Sequence, residues 1–413
     1  MRRILLLFVI CFSFSALSCF YGGNRTALLW TDRPEFALYG EYFNAAQDQY
    51  KIETRYFDSL AQKLVEGGEY ADIVAGRWLK SSSTRALFRP LDSYLGESSI
   101  PKSAFYPKLL AMGNIDGKQY LLPVSFNAPA LIFAREKGEL LSNPFTVGFE
   151  EMKKLGKDFN VERGGVYTRM GFSPAWDDNF LYITADLFNV SFREASPLAW
   201  DSSALDRAMS FVYDWTHEVN TDIQAEEDFT FKYFYTPPEK LVLSERVFFS
   251  YMKSDDLFTL AEERRNNLDF RWIAERNTIP LTEGSIYLGI PKKGKSKKAA
   301  AAFIRWFFKP DTQRLLLEYS RDNRMLETTF GIGGGFSALR VATEQIYPQF
   351  YPGLLGHMPP EDFLSPANIL PRNWTNLKER IILPYLNDRA RHASRDEIRP
   401  LERRISDWLR LNR

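Results

Sequence analysis

Cysteine is nearly missing from this chain. The two that occur, Cys11 and Cys19, both stand near the N-terminus, so the body of the protein can form no intramolecular disulfide. Histidine is almost as scarce. His217, His357 and His392 are the only three, and their spacing fits neither a metal site nor a Ser-His-Asp arrangement. No G-x-S-x-G occurs. The run Gly331-Ile332-Gly333-Gly334-Gly335 lacks the Lys-Ser/Thr of a phosphate-binding loop and follows no clean strand, which argues against a nucleotide site. Charge of one sign is missing as well: 53 basic residues face 52 acidic ones, and loss of Arg2 and Arg3 with a cleaved leader leaves about −1. That balance provides no long-range field to gather nucleic acid. Beyond the N-terminal segment, no run reaches the roughly 18 apolar residues that a bilayer span requires.

What is present begins with an export signal. Arg2-Arg3 is a positive n-region, Ile4 to Phe14 an apolar stretch too short for a mature membrane helix, and Ala16-Leu17-Ser18 a small-residue approach to Cys19. The arrangement resembles a bacterial lipobox, although Ala16 stands where leucine is commonest. Residues 1–18 are therefore expected to be a lipoprotein signal peptide, Cys19 the lipidated first residue, and 19–25 a tether. An ordinary cleaved signal with a chance cysteine is the alternative. The 413 residues exceed one usual hydrophobic core and predict two lobes.

The chain is organised around Ile115 to Glu136. A turn at Asp116-Gly117 leads into a hydrophobic run interrupted by Pro123 and Pro129, which ends in Leu131-Ile132-Phe133 before charge returns. Prolines remove ladder donors, so Val124 to Pro129 is predicted to be an extended crossing between lobes rather than one strand. The Gly117-Lys118-x-Tyr120-x-x-Pro123 pattern, with the hydrophobic strand and charge after it, resembles the first interdomain crossing of extracellular solute-binding proteins of the maltose-binding-protein-like group. The likeness extends from about Thr26 to about Leu409.

The resemblance implies an α/β fold of the two-lobed periplasmic-binding-protein type, the Venus flytrap, with three interdomain crossings. Lobe one would comprise 26–124 and 285–328, and lobe two 128–282 and 332–413. It also implies a binding protein rather than an enzyme, without cofactor or metal. The ligand would be a small polar molecule, a sugar or oligosaccharide first, handed to an ABC transporter permease by hinge closure. The protein would be a monomer, exported and held by its lipid at the outer face of the cytoplasmic membrane. Two rival readings are a glycoside hydrolase using Asp32 and Asp177 and a lipid-anchored surface adhesin.

Candidate ligand contacts follow from both lines of reasoning. Ligands sit at the carboxyl ends of strands in α/β sheets, which brings forward Trp30, Asp32 and Arg33 after the strand Ala27 to Trp30; Asp32 could instead cap a helix. The resemblance points to Trp78 after the strand ending at Val74, with core packing as the alternative. Trp176 and Asp177 place a ring beside a carboxylate at a turn, which suits the apolar face and hydroxyls of a sugar; Asp177 or Asp178 could instead cap the following helix. The predicted strand Arg246 to Tyr251 leads to Tyr251, Ser254 and Asp255, which the resemblance puts near the pocket. Glu283 precedes the strand by which the chain returns, and Trp374 stands at a position type where the family carries a stacking ring, or where a hydrophobic staple would sit. Asn127, in the crossing, is either a contact or a buried turn amide. The ring-rich stretch Asp228 to Tyr235 is expected to pack in the core, and Gly331 to Gly335 to be a flexible third crossing.

Overall fold

The computed structural model describes residues 25–411 apart from 98, 197, 393–395 and 397. Cys19, the signal peptide and most of the tether lie outside the described residues. Two sheets form the frame. In the first, Thr26–Thr31 lies parallel to both Lys51–Tyr56 and Ile73–Gly76, and Ile286–Gly289 runs antiparallel between Ile73–Gly76 and Leu122–Phe126. Phe336–Ser337 closes the far edge. In the second sheet, Pro129–Ala134 lies between antiparallel Ser250–Lys253 and Leu268–Ile273, and Thr146–Val147 adds a parallel edge. Leu122–Phe126 and Pro129–Ala134 are buried throughout, as strands covered on both faces should be.

The crossing at the centre of the chain is shorter than the sequence predicts. Both prolines belong to strands, and only Asn127 and Ala128 separate the two sheets. Pro129 is a first strand residue, and Pro123 pairs with Tyr287 where the register shifts, so neither breaks a regular ladder. The chain returns through Ile279–Pro280 and the segment that follows it. Leu364–Ser365 later pairs in parallel with Ile279–Pro280, placing two connections side by side.

Gly331 to Gly335 is not where the chain leaves the first lobe. Phe336–Ser337 pairs with Leu122–Phe126, so the stretch from 332 through this strand belongs with the first sheet rather than with lobe two, contrary to expectation. The glycine loop is pinned rather than free: the hydroxyls of Tyr351, Tyr347 and Tyr39 accept hydrogen bonds from the amides of Gly331, Ile332 and Gly333 at 2.9, 2.8 and 3.1 Å. The predicted strand Arg246 to Tyr251 is also displaced, because regular pairing begins only at Ser250.

One apolar core runs from the first sheet through the connections to the second, where Trp272 packs on Phe336 at 5.8 Å. Each fully buried large side chain of this kind contributes about 1.5–3 kcal/mol. Helices of the second lobe, Asp178–Leu187, Ser202–Val219 and Leu383–Arg391, pack around a separate core that contains Trp374. Among the described residues no helix is long and apolar enough to cross a membrane.

Candidate ligand-binding site

A cavity of about 330 Å³ lies between the lobes, at the lower end of the roughly 300–1,000 Å³ usual for small-molecule sites. The first lobe contributes Arg33, Arg77, Trp78, Ser125 and the carbonyl-bearing loop Gly333–Gly334. The connections contribute Asn127 and Thr282 to Ile286, and the second lobe contributes Asn179, Tyr251, Lys253, Asp255, Thr375 and Lys378.

The two arginines are held from behind. Asp32 is buried and accepts hydrogen bonds from the Arg77 backbone amide and from Arg77 Nε at 3.2 Å. Burial pushes the Asp32 carboxyl above its ordinary range, and Arg77 draws it back. Arg33 pairs with buried Glu35 at 2.7 Å. Opposite them, Lys378 Nζ donates to Glu283, and to Asn179 Oδ1 at 3.0 Å, while standing 4.3 Å above the Tyr182 ring. Lys253 lies 3.4 Å from Asp255 and 3.4 Å from Asp256. Behind Lys378, burial and then the Glu283 charge raise the Asp186 carboxyl to about 6.

The lobes also touch each other directly. Trp78 adopts a left-handed backbone at φ 61°, uncommon for a bulky side chain, and its indole N–H reaches Thr375 Oγ1 of the second lobe at 3.1 Å. Along the same rim, Glu194 accepts from Ser81 Oγ at 2.8 Å and from the Ser82 amide at 2.7 Å. Arg372 Nε donates to Gln62 Oε1 at 2.8 Å.

Seven predicted contacts line this cavity: Arg33, Trp78, Asn127, Tyr251, Asp255, Glu283 and Trp374. Asn127 and Trp374 are occupied by the protein itself, beyond the bonds that Trp78 makes to Thr375 and Glu283 to Lys378. Asn127 donates to the Gly334 carbonyl at 2.8 Å and accepts from Ser254 Oγ at 2.6 Å, so its amide braces the crossing. Trp374 backs the wall without an exposed face, its ring centre 6.0 Å from Tyr182 and 5.9 Å from Phe192, so it packs in the core of the second lobe rather than presenting a stacking face.

The other predicted residues stand elsewhere. Trp30, last but one in the strand Thr26–Thr31, is buried in a separate apolar cluster against Phe57, with ring centres 4.8 Å apart, and does not line the cavity. Asp32 does not reach the cavity, nor does it cap the helix Glu35–Ala46; it holds Arg77. Ser254 is fully buried beneath Asn127. Trp176 and Asp177 border neighbouring depressions of the second lobe rather than the interlobe cavity, and Asp177 caps the helix Asp178–Leu187 by accepting from the Asn179 amide at 2.8 Å. Sequence reasoning missed Arg77 and Lys378. Each had a weak signal: Arg77 adjoins Trp78, and Lys378 lies one helical turn beyond Trp374.

The chain belongs to the bacterial extracellular solute-binding proteins: the model of that family matches residues 39–321, more than half of the chain. Comparison with curated protein sequences finds no match. Among solved structures, the chain is similar to a cyclic alpha-maltosyl-1,6-maltose binding protein from Arthrobacter globiformis, at 15% identity and a TM-score of 0.62, covering 92% of this chain and 96% of that one. It is also similar to an ABC substrate-binding protein from Listeria monocytogenes in complex with cycloalternan, at 14% identity and a TM-score of 0.59, with 92% and 96% covered. A maltose/maltodextrin-binding domain from Bdellovibrio bacteriovorus bound to maltotriose matches at 14% identity and a TM-score of 0.54, with 93% and 100% covered. These likenesses carry the two-lobed fold.

Proposed function

We propose that the chain binds an uncharged sugar or short oligosaccharide in the interlobe cavity and presents it to an ABC transporter permease. One observation carries the choice of ligand class. Each of the four cations lining the cavity has a carboxylate partner: Arg33 with Glu35, Arg77 with Asp32, Lys253 with Asp255 and Lys378 with Glu283. Pairing leaves no cation without a counter-charge while leaving directional donors and acceptors to meet hydroxyls. A phosphate or a free amino acid would instead call for an uncompensated charge. Similar solved proteins hold sugars, maltotriose and cycloalternan among them.

Binding couples to shape. A sugar touching Arg77 on one lobe and Lys378 or Tyr251 on the other favours the closed arrangement by its differential affinity for the two states. The reading is of a binding protein rather than a hydrolase, because Asp32 and Asp177, the acidic pair a hydrolase would use, are engaged by Arg77 and by a helix N-terminus. Export and attachment through a lipid on Cys19 complete it.

Thermal unfolding against a panel of malto-oligosaccharides, manno-oligosaccharides, amino acids and glycerol phosphate tests the proposal. At a hundred times its dissociation constant a ligand adds about 2.7 kcal/mol, which raises the melting temperature measurably. A shift with a neutral sugar is expected. A shift with only the charged compounds, or with none, overturns the ligand class.

A further inference from the structure

We propose that a groove running out of the cavity across the second lobe binds further units of the same oligosaccharide chain, with Phe231 and Phe234 as its outer platform. This rests on the sugar-binding reading and extends it to chain length. The ring-rich stretch after Asp228 does not pack in the core as its composition predicts. Helix Ile223–Lys232 buries Phe229, but Phe231, Phe234 and Tyr235 are 85%, 71% and 94% exposed. A lone exposed ring needs no explanation, whereas three within five residues form a patch. Phe234 and Tyr235 brace one another edge to face, with centres 5.1 Å apart.

The patch borders a depression that adjoins the cavity. Phe231 and Phe234 border a depression of about 590 Å³ whose inner wall contains Asn179 and Leu383. Those two residues also line the interlobe cavity. A chain leaving the cavity past Asn179 would meet this groove next.

The groove's chemistry alternates as a sugar's does. Trp176 lies flat on Phe229, 5.6 Å apart at 16°, and its indole N–H is buried with no hydrogen-bond partner. Between the rings stand Asp178, which accepts from Asn387 at 2.7 Å, and Glu227, which is ion-paired with Arg391. Asp177 and Glu226 add acid to the same walls. Rings meet the C–H faces of sugar units, and carboxylates and amides meet their hydroxyls. The acidic excess disfavours an anionic chain, so the occupant is an uncharged oligosaccharide.

Titration calorimetry with maltose, maltohexaose, mannobiose and mannohexaose tests the inference on the full exported chain, beside a Phe231→Ser/Phe234→Ser variant. Both rings are exposed, so the variant is expected to keep the wild-type melting temperature. For whichever sugar series binds, the hexasaccharide should bind roughly tenfold more tightly than the disaccharide, and the variant should erase that ratio while leaving disaccharide affinity unchanged. A disaccharide that binds as well as its hexasaccharide overturns the groove while leaving the cavity reading intact. An unchanged ratio in the variant overturns the role of the rings. If no sugar of either length binds, the function proposed for the cavity fails and this inference falls with it. Loss of uptake through the permease with unchanged sugar affinity would assign the rings to protein contact and also overturn the proposal.

Discussion

The first lobe meets the cavity with two arginines anchored by buried carboxylates and with a glycine loop whose backbone is tied to three tyrosine hydroxyls. The second lobe meets it with side chains mounted on short helices: Asn179 near the start of Asp178–Leu187, Thr375 within Trp374–Leu377, and Lys378 at the following irregular turn. Fixed backbone donors and acceptors on one wall give a preorganised surface that any ligand must match. Helix-borne side chains on the other wall continue outward onto an exposed aromatic patch. Under the proposed function, the first lobe would recognise one ligand unit and the second would adapt to chain length.

The largest effect is expected where the second lobe carries a nearly buried charge. Lys378→Met leaves Glu283 without its cation at a site where both side chains are 11% exposed. Breaking such a pair from one side costs about 3–5 kcal/mol, and sugar affinity should be lost as well. The double variant Lys378→Met/Glu283→Gln should recover most of the stability without the affinity, because no unpaired charge remains. Denaturant unfolding and calorimetry separate the two quantities. Equal stability of the single and double variants would show that the pair is not coupled and would weaken the picture of a charge-balanced second wall.

A smaller effect on stability, and a comparable one on binding, is expected in the first lobe. Gly334 has φ 74°, and a Cβ there would overlap the Arg33 guanidinium. Gly334→Ala adds about 1–2 kcal/mol of left-handed backbone strain and pushes Arg33 off Glu35 into the space the ligand would use. The expected result is a modest drop in melting temperature with a large loss of sugar affinity. If affinity survives, the glycine loop does not shape the wall, and the contrast between the lobes loses its first term.

How far these walls could be read from sequence depends on the range of the interactions. The neighbourhood of the first crossing was legible, because hydrophobic runs, a turn and two prolines are local signals, and the crossing fell at Asn127 and Ala128, inside the predicted stretch. The final strand of the first sheet, Phe336–Ser337, was not, since two residues cannot show alternation. Asp32 stands behind the cavity wall in a role that no local signal announces, because only the fold brings it to Arg77, 45 residues away. Phe231 and Phe234 were expected in the core because ring content says nothing about which face of a short helix the neighbouring elements cover. Lys378 finds Glu283, 95 residues distant, through tertiary contact alone.

The smallest effect belongs to the rim where the two walls meet. Glu194, half-buried, takes hydrogen bonds from buried Ser81 and exposed Ser82 across the cleft. Glu194→Gln keeps one acceptor and removes the charge, so its cost should stay below about 1 kcal/mol. That is still enough to move a closely balanced pair of arrangements by up to roughly fivefold, since a shift of population follows directly from the free energy that separates the states. Small-angle scattering of the sugar-free protein should show a larger radius of gyration for the variant, and sugar should restore the wild-type value, because ligand contacts made by both lobes outweigh one rim hydrogen bond. Identical scattering with and without the substitution would mean that the lobes are held by their continuous apolar connection near Trp272 and Phe336 rather than by the rim, and closure would then have to be sought in the paired segments Ile279–Pro280 and Leu364–Ser365.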